Sequence, residues 1–239
     1  MAENQIKDQL LLMKEDLTKA IQNPVNKRQW GMVIDLQKCT GCHSCTIACI
    51  AENVLPPGVI YRRVISQETG TYPKVKKQYV ARPCMQCDKP PCVPVCPVQA
   101  TKKRDDKVVD IDYTKCIGCG RCVKACPYGA RSLDKGKFHT DGTPQVMAYE
   151  KRANHEYQKK WTRQGGENPP IGRARKCHFC LHRCAEGLLP SCVATCIGRA
   201  TYFGDFSDPD SLVSKLLKSR KYMKLLEQKG TNPRVYYLL

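Results

Sequence analysis

Cysteine spacing constrains this chain more than any other feature. Sixteen of its 17 cysteines fall into four groups of four. The first is Cys39-x-x-Cys42-x-x-Cys45-x-x-x-Cys49. The second is Cys84-x-x-Cys87-x4-Cys92-x-x-x-Cys96, followed by Pro97. The third, Cys116-x-x-Cys119-x-x-Cys122-x-x-x-Cys126, is followed by Pro127. The fourth is Cys177-x-x-Cys180-x11-Cys192-x-x-x-Cys196. Cys184 alone stands outside the pattern. A chain this dense in regularly placed thiols must fold around whatever they bind.

A cubane [4Fe–4S] cluster needs one thiolate on each iron. The tight loop of motifs one and three wraps three corners, and the cysteine that follows reaches a neighbouring cube. Gly41 and Gly118 lie inside these loops, where a side chain would crowd the cluster and positive φ is expected. Four such motifs point to four [4Fe–4S] clusters and a multi-cluster electron wire. Disulfides fit poorly, because the cysteine count is odd and no secretion signal precedes them. Structural zinc uses paired Cys-x-x-Cys knuckles, but zinc sites rarely crowd four cysteines into 11 residues, as Cys39–Cys49 does. A two-cysteine redox motif leaves most of the thiols unexplained.

The 239 residues suit one compact unit or two small, closely joined ones. Aromatic residues make up only 7%, so the apolar core is expected to be thin. Ligation should then supply much of the folding free energy, leaving the apoprotein poorly folded. The formal charge is +18, falling to about +10 with four oxidised clusters bound. No nucleic-acid motif accompanies this charge, so it points to a partner protein with an acidic docking face rather than to nucleic acid. No stretch approaches the ~20 apolar residues of a membrane span. Residues 1–30 lack a twin-arginine or apolar signal. The chain is therefore expected to be soluble, without an export address of its own, and its oxygen-sensitive clusters suit assembly in the cytoplasm.

Along the chain, Ile6, Leu10, Met13, Leu17 and Ile21 predict an amphipathic helix over 3–22, ended by Asn23-Pro24. It either covers the iron–sulfur core or docks on a partner. Two internal repeats follow. Ile34-Asp35-x-x-Lys38-Cys39-x-Gly41-Cys42 matches Ile111-Asp112-x-x-Lys115-Cys116-x-Gly118-Cys119, each preceded by a short β-rich stretch (Met32–Asp35, Val108–Asp112) and leading into a short helix. Cys92-Val93 and Ala100-Thr101 match Cys192-Val193 and Ala200-Thr201. Residues 135–176 carry ten Lys/Arg against four acids and break at Gly165-Gly166 and Pro169-Pro170. An irregular, basic surface excursion that contacts a partner is expected there. Asp208-Pro209 is expected to start a helix with Leu212, Leu216 and Leu217 on its apolar face, a second helix to cover 219–228, and Val235–Leu239 to form an extended tail. The tail packs either on this chain or on a neighbour.

The order of the four motifs, the long gap inside the fourth and the Arg175-Lys176-Cys177-x-x-Cys180 lead-in resemble the four-cluster ferredoxin subunit of dimethyl sulfoxide reductase-family molybdopterin oxidoreductases. The polysulfide, thiosulfate, tetrathionate and arsenate reductase branch is the most similar, on Phe203-Gly204-Asp205 and the tail from Asn232 to Leu238. The resemblance spans Gly31 to Leu239 and excludes the first helix and the 135–176 excursion. It implies an α+β fold of two ferredoxin-like modules. Residues 31–80 and 177–206 form the first and 81–134 the second, with 1–30, the 135–176 insertion and 207–239 outside them. It also implies crosswise ligation. Cys39, Cys42 and Cys45 take Cys196, and Cys177, Cys180 and Cys192 take Cys49. Cys84, Cys87 and Cys92 take Cys126, and Cys116, Cys119 and Cys122 take Cys96. The resemblance implies that the first module faces a molybdopterin catalytic subunit and the second a quinone-reactive membrane subunit. The chain then reaches a membrane only through partners, on the cytoplasmic side or, by co-export, the periplasmic one. Cys49 and Cys196 precede isoleucine where the pattern has proline.

No nucleophile–base pair, phosphate loop or dinucleotide fingerprint marks a catalytic site. The expected role is a non-catalytic electron-transfer subunit; the alternative is a free-standing polyferredoxin serving a hydrogenase or another soluble enzyme. His43, His178 and His182 are expected at the surface or behind the ligands, and Cys184 as a spectator. Lys38, Lys115, Arg121, Lys124 and Lys176 are expected to raise local potentials, against the plainer reading that they are solvated.

Overall fold

The computed structural model describes residues 8–156, 159–162 and 170–239. Residues 3–7 of the expected first helix, Ile6 among them, lie outside this set, as do Gly165, Gly166 and Pro169. Helices and strands are mixed throughout.

At the centre lies the strand Trp30–Asp35, all six residues of which are buried. Its run of apolar residues without alternation is what a strand covered on both faces requires. It pairs antiparallel with Thr201–Asp205 and parallel with Val235–Leu238, which in turn pairs with Tyr222–Met223. The apolar tail thus packs inside this chain. Trp30 stacks on Phe203 at 5.3 Å, and Phe179 meets Phe203 edge-on at 5.5 Å.

The N-terminal helix runs Gln9–Gln22, capped by Asp8, whose carboxylate accepts from Leu10 N at 2.7 Å. Met13, Leu17 and Ala20 bury its apolar face in the same core. The helix Leu212–Ser219 also packs on Thr201–Asp205, beside the first helix, whose Asp16 accepts from Leu212 N at 2.7 Å; it is capped by Ser211 and does not start at Asp208-Pro209. The second helix expected over 219–228 does not form. Tyr222–Met223 instead joins the sheet edge, and Glu227–Lys229 makes one 3-10 turn between left-handed Leu226 and Gly230. The open edge of the tail strand takes these residues as a partner.

The internal repeat reappears as strand pairing. Ile34 sits opposite Thr201 and Ile111 opposite Thr101. Asp35 N donates to Ala200 O and Asp112 N to Ala100 O, each at 2.7 Å. The strand before motif one therefore pairs with the strand after motif four, and the strand before motif three with the one after motif two. A second core surrounds Val109, Ile111, Tyr113, Trp161 and Ala174 with Cys92 and Cys122. The hairpin Arg63–Thr71 with Lys74–Arg82 leads from motif one to motif two, and Arg131–Leu133 pairs with Ala174–Lys176 between motifs three and four.

The 135–176 segment is not the irregular surface loop its charge suggested. Among its described residues are the helix Ala148–Lys151 and the pair Asn154–Glu156 with Lys159–Trp161. Glu150, Glu156, Trp161, Arg175 and Lys176 are buried. Its basic residues are partly neutralised inside the protein, a property that charge counting cannot detect.

Candidate iron–sulfur sites

Each expected ligand lies on a loop, or within a turn of a short helix, that leaves one of these strands. Gly41 and Gly118 have φ of 70°, as the tight loops require. A Cβ at Gly41 would meet the Tyr79 ring at 2.3 Å, and one at Gly118 the Gly172 carbonyl oxygen at 2.0 Å. Protein atoms occupy the space beside these glycines, in addition to the cluster crowding expected. Helix Ser44–Asn53 follows the first loop and turns Cys45 and Cys49 into the interior.

The thiols gather in four places. Cys39, Cys42, Cys45 and Cys196 line one cavity. Cys49, Cys177, Cys180 and Cys192 line a second, together with Arg62 and Asn53. Cys87 lies within electrostatic reach of Cys84, Cys92 and Cys126. Cys122 lies likewise near Cys116 and Cys96, with Cys119 on the same loop and exposed. Cys84 also acts on Cys177, so the second and third gatherings are neighbours.

These donor sets fit iron–sulfur cubes. All are sulfur, and among the described residues no three or more His, Cys, Asp or Glu side chains close on a single metal ion. In the first two sets the sulfurs line cavities instead, the wider arrangement a cube demands. The Arg62 Nε is wholly buried and has no hydrogen-bond partner. It is a donor beside the second cavity that an acceptor within it would satisfy.

Amide and side-chain donors converge on the thiols. Ala200 N lies 3.2 Å from Cys196 Sγ, Phe179 N 3.4 Å from Cys177 Sγ, and Asn53 Nδ2 3.6 Å from Cys49 Sγ. Arg131 Nη2 lies 3.1 Å from Cys92 Sγ. Hydrogen bonds of this kind to cluster sulfurs raise reduction potential. Burial pushes Cys87 and Cys177 up to about 12, with neighbouring thiols adding to the effect. Cys49 and Cys180 are driven well up by the same cause. Cys42, at the surface, is held below the usual thiol range by Ser44. Most of these sites therefore disfavour bare thiolates, and positive charge must arrive with the metal.

The histidines and lysines divide. His178 is buried, not at the surface; its Nε2 lies 3.1 Å from Asn53 Oδ1, which ties it to the residue beside Cys49. His182 pairs with Glu52 at 2.8 Å, and His43 opens helix Ser44–Asn53. Lys176 is fully buried and donates to the Cys177 carbonyl at 2.7 Å; Lys38 bonds Tyr202 Oη at 2.8 Å. Cys184 is buried, donates to the Phe179 carbonyl at 3.4 Å and lines neither cavity. Arg62 and Arg131 escaped the sequence reading. Neither adjoins a cysteine in the chain, and the register that brings them in is visible only in the fold.

Among the described residues no helix is long and apolar enough to cross a membrane. A 4Fe–4S binding domain is recognised at residues 109–132 and a 4Fe–4S dicluster domain at 163–206. Over 229 residues the chain is 57% identical to the B subunit of selenate reductase from Mesobacillus selenatarsenatis, covering 96% of this chain and 78% of that one. It is 39% identical over 217 residues to the B subunit of tetrathionate reductase from Salmonella typhimurium, covering 89% and 73%. It is 38% identical over 222 residues to the arsenate respiratory reductase iron–sulfur subunit of a Shewanella species, covering 87% and 95%.

Proposed function

This chain belongs to the family of iron–sulfur subunits of dimethyl sulfoxide reductase-type complexes, and from that premise we propose that it relays electrons between a molybdopterin catalytic subunit and a quinone-reactive membrane subunit. By their names, the three relatives serve reductases of inorganic oxyanions, and we extend that class to this chain's catalytic partner. Four [4Fe–4S] clusters supply one-electron transfer when bound. The proposed ligand sets are Cys39, Cys42, Cys45 and Cys196; Cys49, Cys177, Cys180 and Cys192; Cys84, Cys87, Cys92 and Cys126; and Cys96, Cys116, Cys119 and Cys122. The observation that supports this reading is that thiols of different motifs lie together: Cys39, Cys42 and Cys45 with Cys196; Cys177, Cys180 and Cys192 with Cys49; Cys84, Cys87 and Cys92 with Cys126; and Cys116 and Cys122 with Cys96.

The pairing of Ile34 with Thr201 and of Ile111 with Thr101 supports two ferredoxin-like modules, motifs one with four and two with three. Cys42 and Cys119 are the two exposed cysteines of the chain. They belong to the sets proposed for the two ends of the wire, where electrons must enter and leave. Ile47 and Ile197 beside the first set, and Ile117 beside the last, are 65%, 74% and 61% exposed. Apolar residues of this kind suit faces that partner subunits cover.

The test is anaerobic purification by a tag on this chain. The expected product is a complex containing a molybdopterin protein and a membrane subunit, whose visible iron–sulfur absorption bleaches with a quinol and recovers with an oxyanion substrate. A brown chain that purifies alone and serves a soluble hydrogenase would favour the free-standing alternative.

A further inference from the structure

Two buried arginines occupy equivalent places in the internal repeat. Arg62 follows motif one and Arg131 follows motif three, and they are 1% and 3% exposed. Arg62 Nη2 donates to Thr201 Oγ1 at 2.7 Å, and Arg131 Nη1 to Thr101 Oγ1 at 3.2 Å. Those threonines are the matched partners of Ile34 and Ile111 across the strands.

Each guanidinium also faces sulfurs of two different ligand sets. Arg62 lines the cavity of the second set and lies within electrostatic reach of Cys45 of the first and Cys192 of the second. Arg131 lies 3.1 Å from Cys92 Sγ of the third and within electrostatic reach of Cys122 of the fourth. The remaining junction, between the second and third sets, holds Lys176. It is wholly buried and acts on both Cys177 and Cys92. Asp110 shares its field.

A purely architectural buried arginine is present for comparison. Arg175 lies between the carboxylates of Asp134 and Glu156, at 2.9 and 2.6 Å. Arg62 has no such partner among the described ion pairs; its other contact is Met32 Sδ at 2.9 Å, and its Nε is unmatched. A buried unpaired charge is costly. The compensating negative charge available here is that of thiolate-ligated clusters on either side.

We propose that Arg62, Lys176 and Arg131 are bridging cations, one at each of the three junctions of the four-cluster path, each setting the potentials of the two clusters it separates. The proposal rests on the ligand sets given above. A cation in a poorly screened interior attracts an added electron far more strongly than one in water. Placed between two clusters, it raises both together. An electron moving between clusters held by the two sets would stay within the cation's field, and no bond or proton would change hands. These are positioning residues for charge, acting through the clusters.

The experiment is an EPR-monitored redox titration of the intact anaerobic complex, with iron analysis, for the wild type and for Arg62→Gln, Lys176→Gln and Arg131→Gln. Each variant is expected to lower two of four midpoint potentials. The expected drop is at least 59 mV, a tenfold fall in the reduced-to-oxidised ratio of a one-electron centre at fixed poise. Arg62→Gln and Arg131→Gln should move separate pairs, and Lys176→Gln one member of each pair. No cluster needs prior assignment for that pattern to be seen. Arg62→Lys, Arg131→Lys and Lys176→Arg should restore wild-type potentials.

Unchanged potentials, an equal shift in all four, or both arginine variants moving the same pair would overturn the proposal. Where a glutamine variant loses iron, the charge-keeping variant decides. Retained iron with wild-type potentials supports a bridging charge, and iron lost there too rejects it in favour of side-chain shape. A wild-type complex with fewer than four centres would fail the ligand sets themselves, and that result is visible before any variant is compared.

Discussion

Arg175 Nη2 donates to Glu156 Oε1 over 2.6 Å, and neither side chain has any exposure to solvent. Asp134 takes Nη1 at 2.9 Å, Tyr61 Oη accepts from Nε at 3.0 Å, and Tyr61 and Tyr113 both donate to Glu156. This network fastens the 135–176 excursion to the segment that follows motif one and to the second core. Removing one partner of a buried pair leaves an uncompensated charge, at about 3–5 kcal/mol. Arg175→Ala strands two carboxylates and should lower the unfolding free energy of the anaerobic holoprotein by that order, and its denaturant midpoint with it. Glu156→Gln leaves Asp134 to hold the guanidinium and should cost less. A midpoint for Arg175→Ala equal to the wild type would show that the network does not hold the excursion in place.

The sequence carried the motifs, the first helix's apolar face and the repeat, because those signals are local or periodic. Ile34 and Ile111 could be matched by eye, and the strand register repeats that match. What stayed hidden depended on distant pairing. The hairpin Arg63–Thr71 with Lys74–Arg82 is largely exposed, so it has little apolar alternation to announce it. Tyr222–Met223 looked helical until the tail strand offered it an edge. Arg62 and Arg131 stand among many basic residues, and only the fold shows which of them are buried beside thiols. The buried carboxylates of Glu156 and Asp134 explain why charge counting misjudged residues 135–176.

The proposed cluster number can be counted chemically. Anaerobically prepared protein should contain about sixteen iron and sixteen sulfide per chain. Colorimetric iron and acid-labile sulfide on the same sample check this. Eight iron per chain, or stoichiometric zinc, would defeat the four-cluster reading.

Cys184 offers a contrast within one motif. It lies only four residues beyond Cys180, yet its thiol points to the Phe179 carbonyl. Cys184→Ser should leave iron content and EPR spectra as they are, since a hydroxyl can make the same donation. Cys192→Ser removes a sulfur lining the second cavity and should lose or convert one centre. The reverse outcome would reassign the fourth motif.

The exposed thiols Cys42 and Cys119 give the wire a direction that can be measured. Cys119 belongs to the set proposed for the membrane end, and Cys42 to the set proposed for the molybdopterin end. Each sits at the surface while most other ligands are buried, so a serine there should disturb one terminal centre and leave the core intact. In Cys119→Ser, electron exchange with quinone should fall at least tenfold, while turnover between an artificial dye and the catalytic subunit persists, because dye can enter the path at another point. In Cys42→Ser, both activities should fall, because every electron bound for the catalytic subunit crosses that last centre. Both variants need iron analysis first, and both need assembly of the complex checked by gel filtration, so that its loss is not mistaken for a broken path. Equal losses in all four measurements, or quinone exchange lost only in Cys42→Ser, would reverse or remove the proposed direction. The electron-transfer role would still stand, since it depends on the presence of the clusters and not on which end meets which partner.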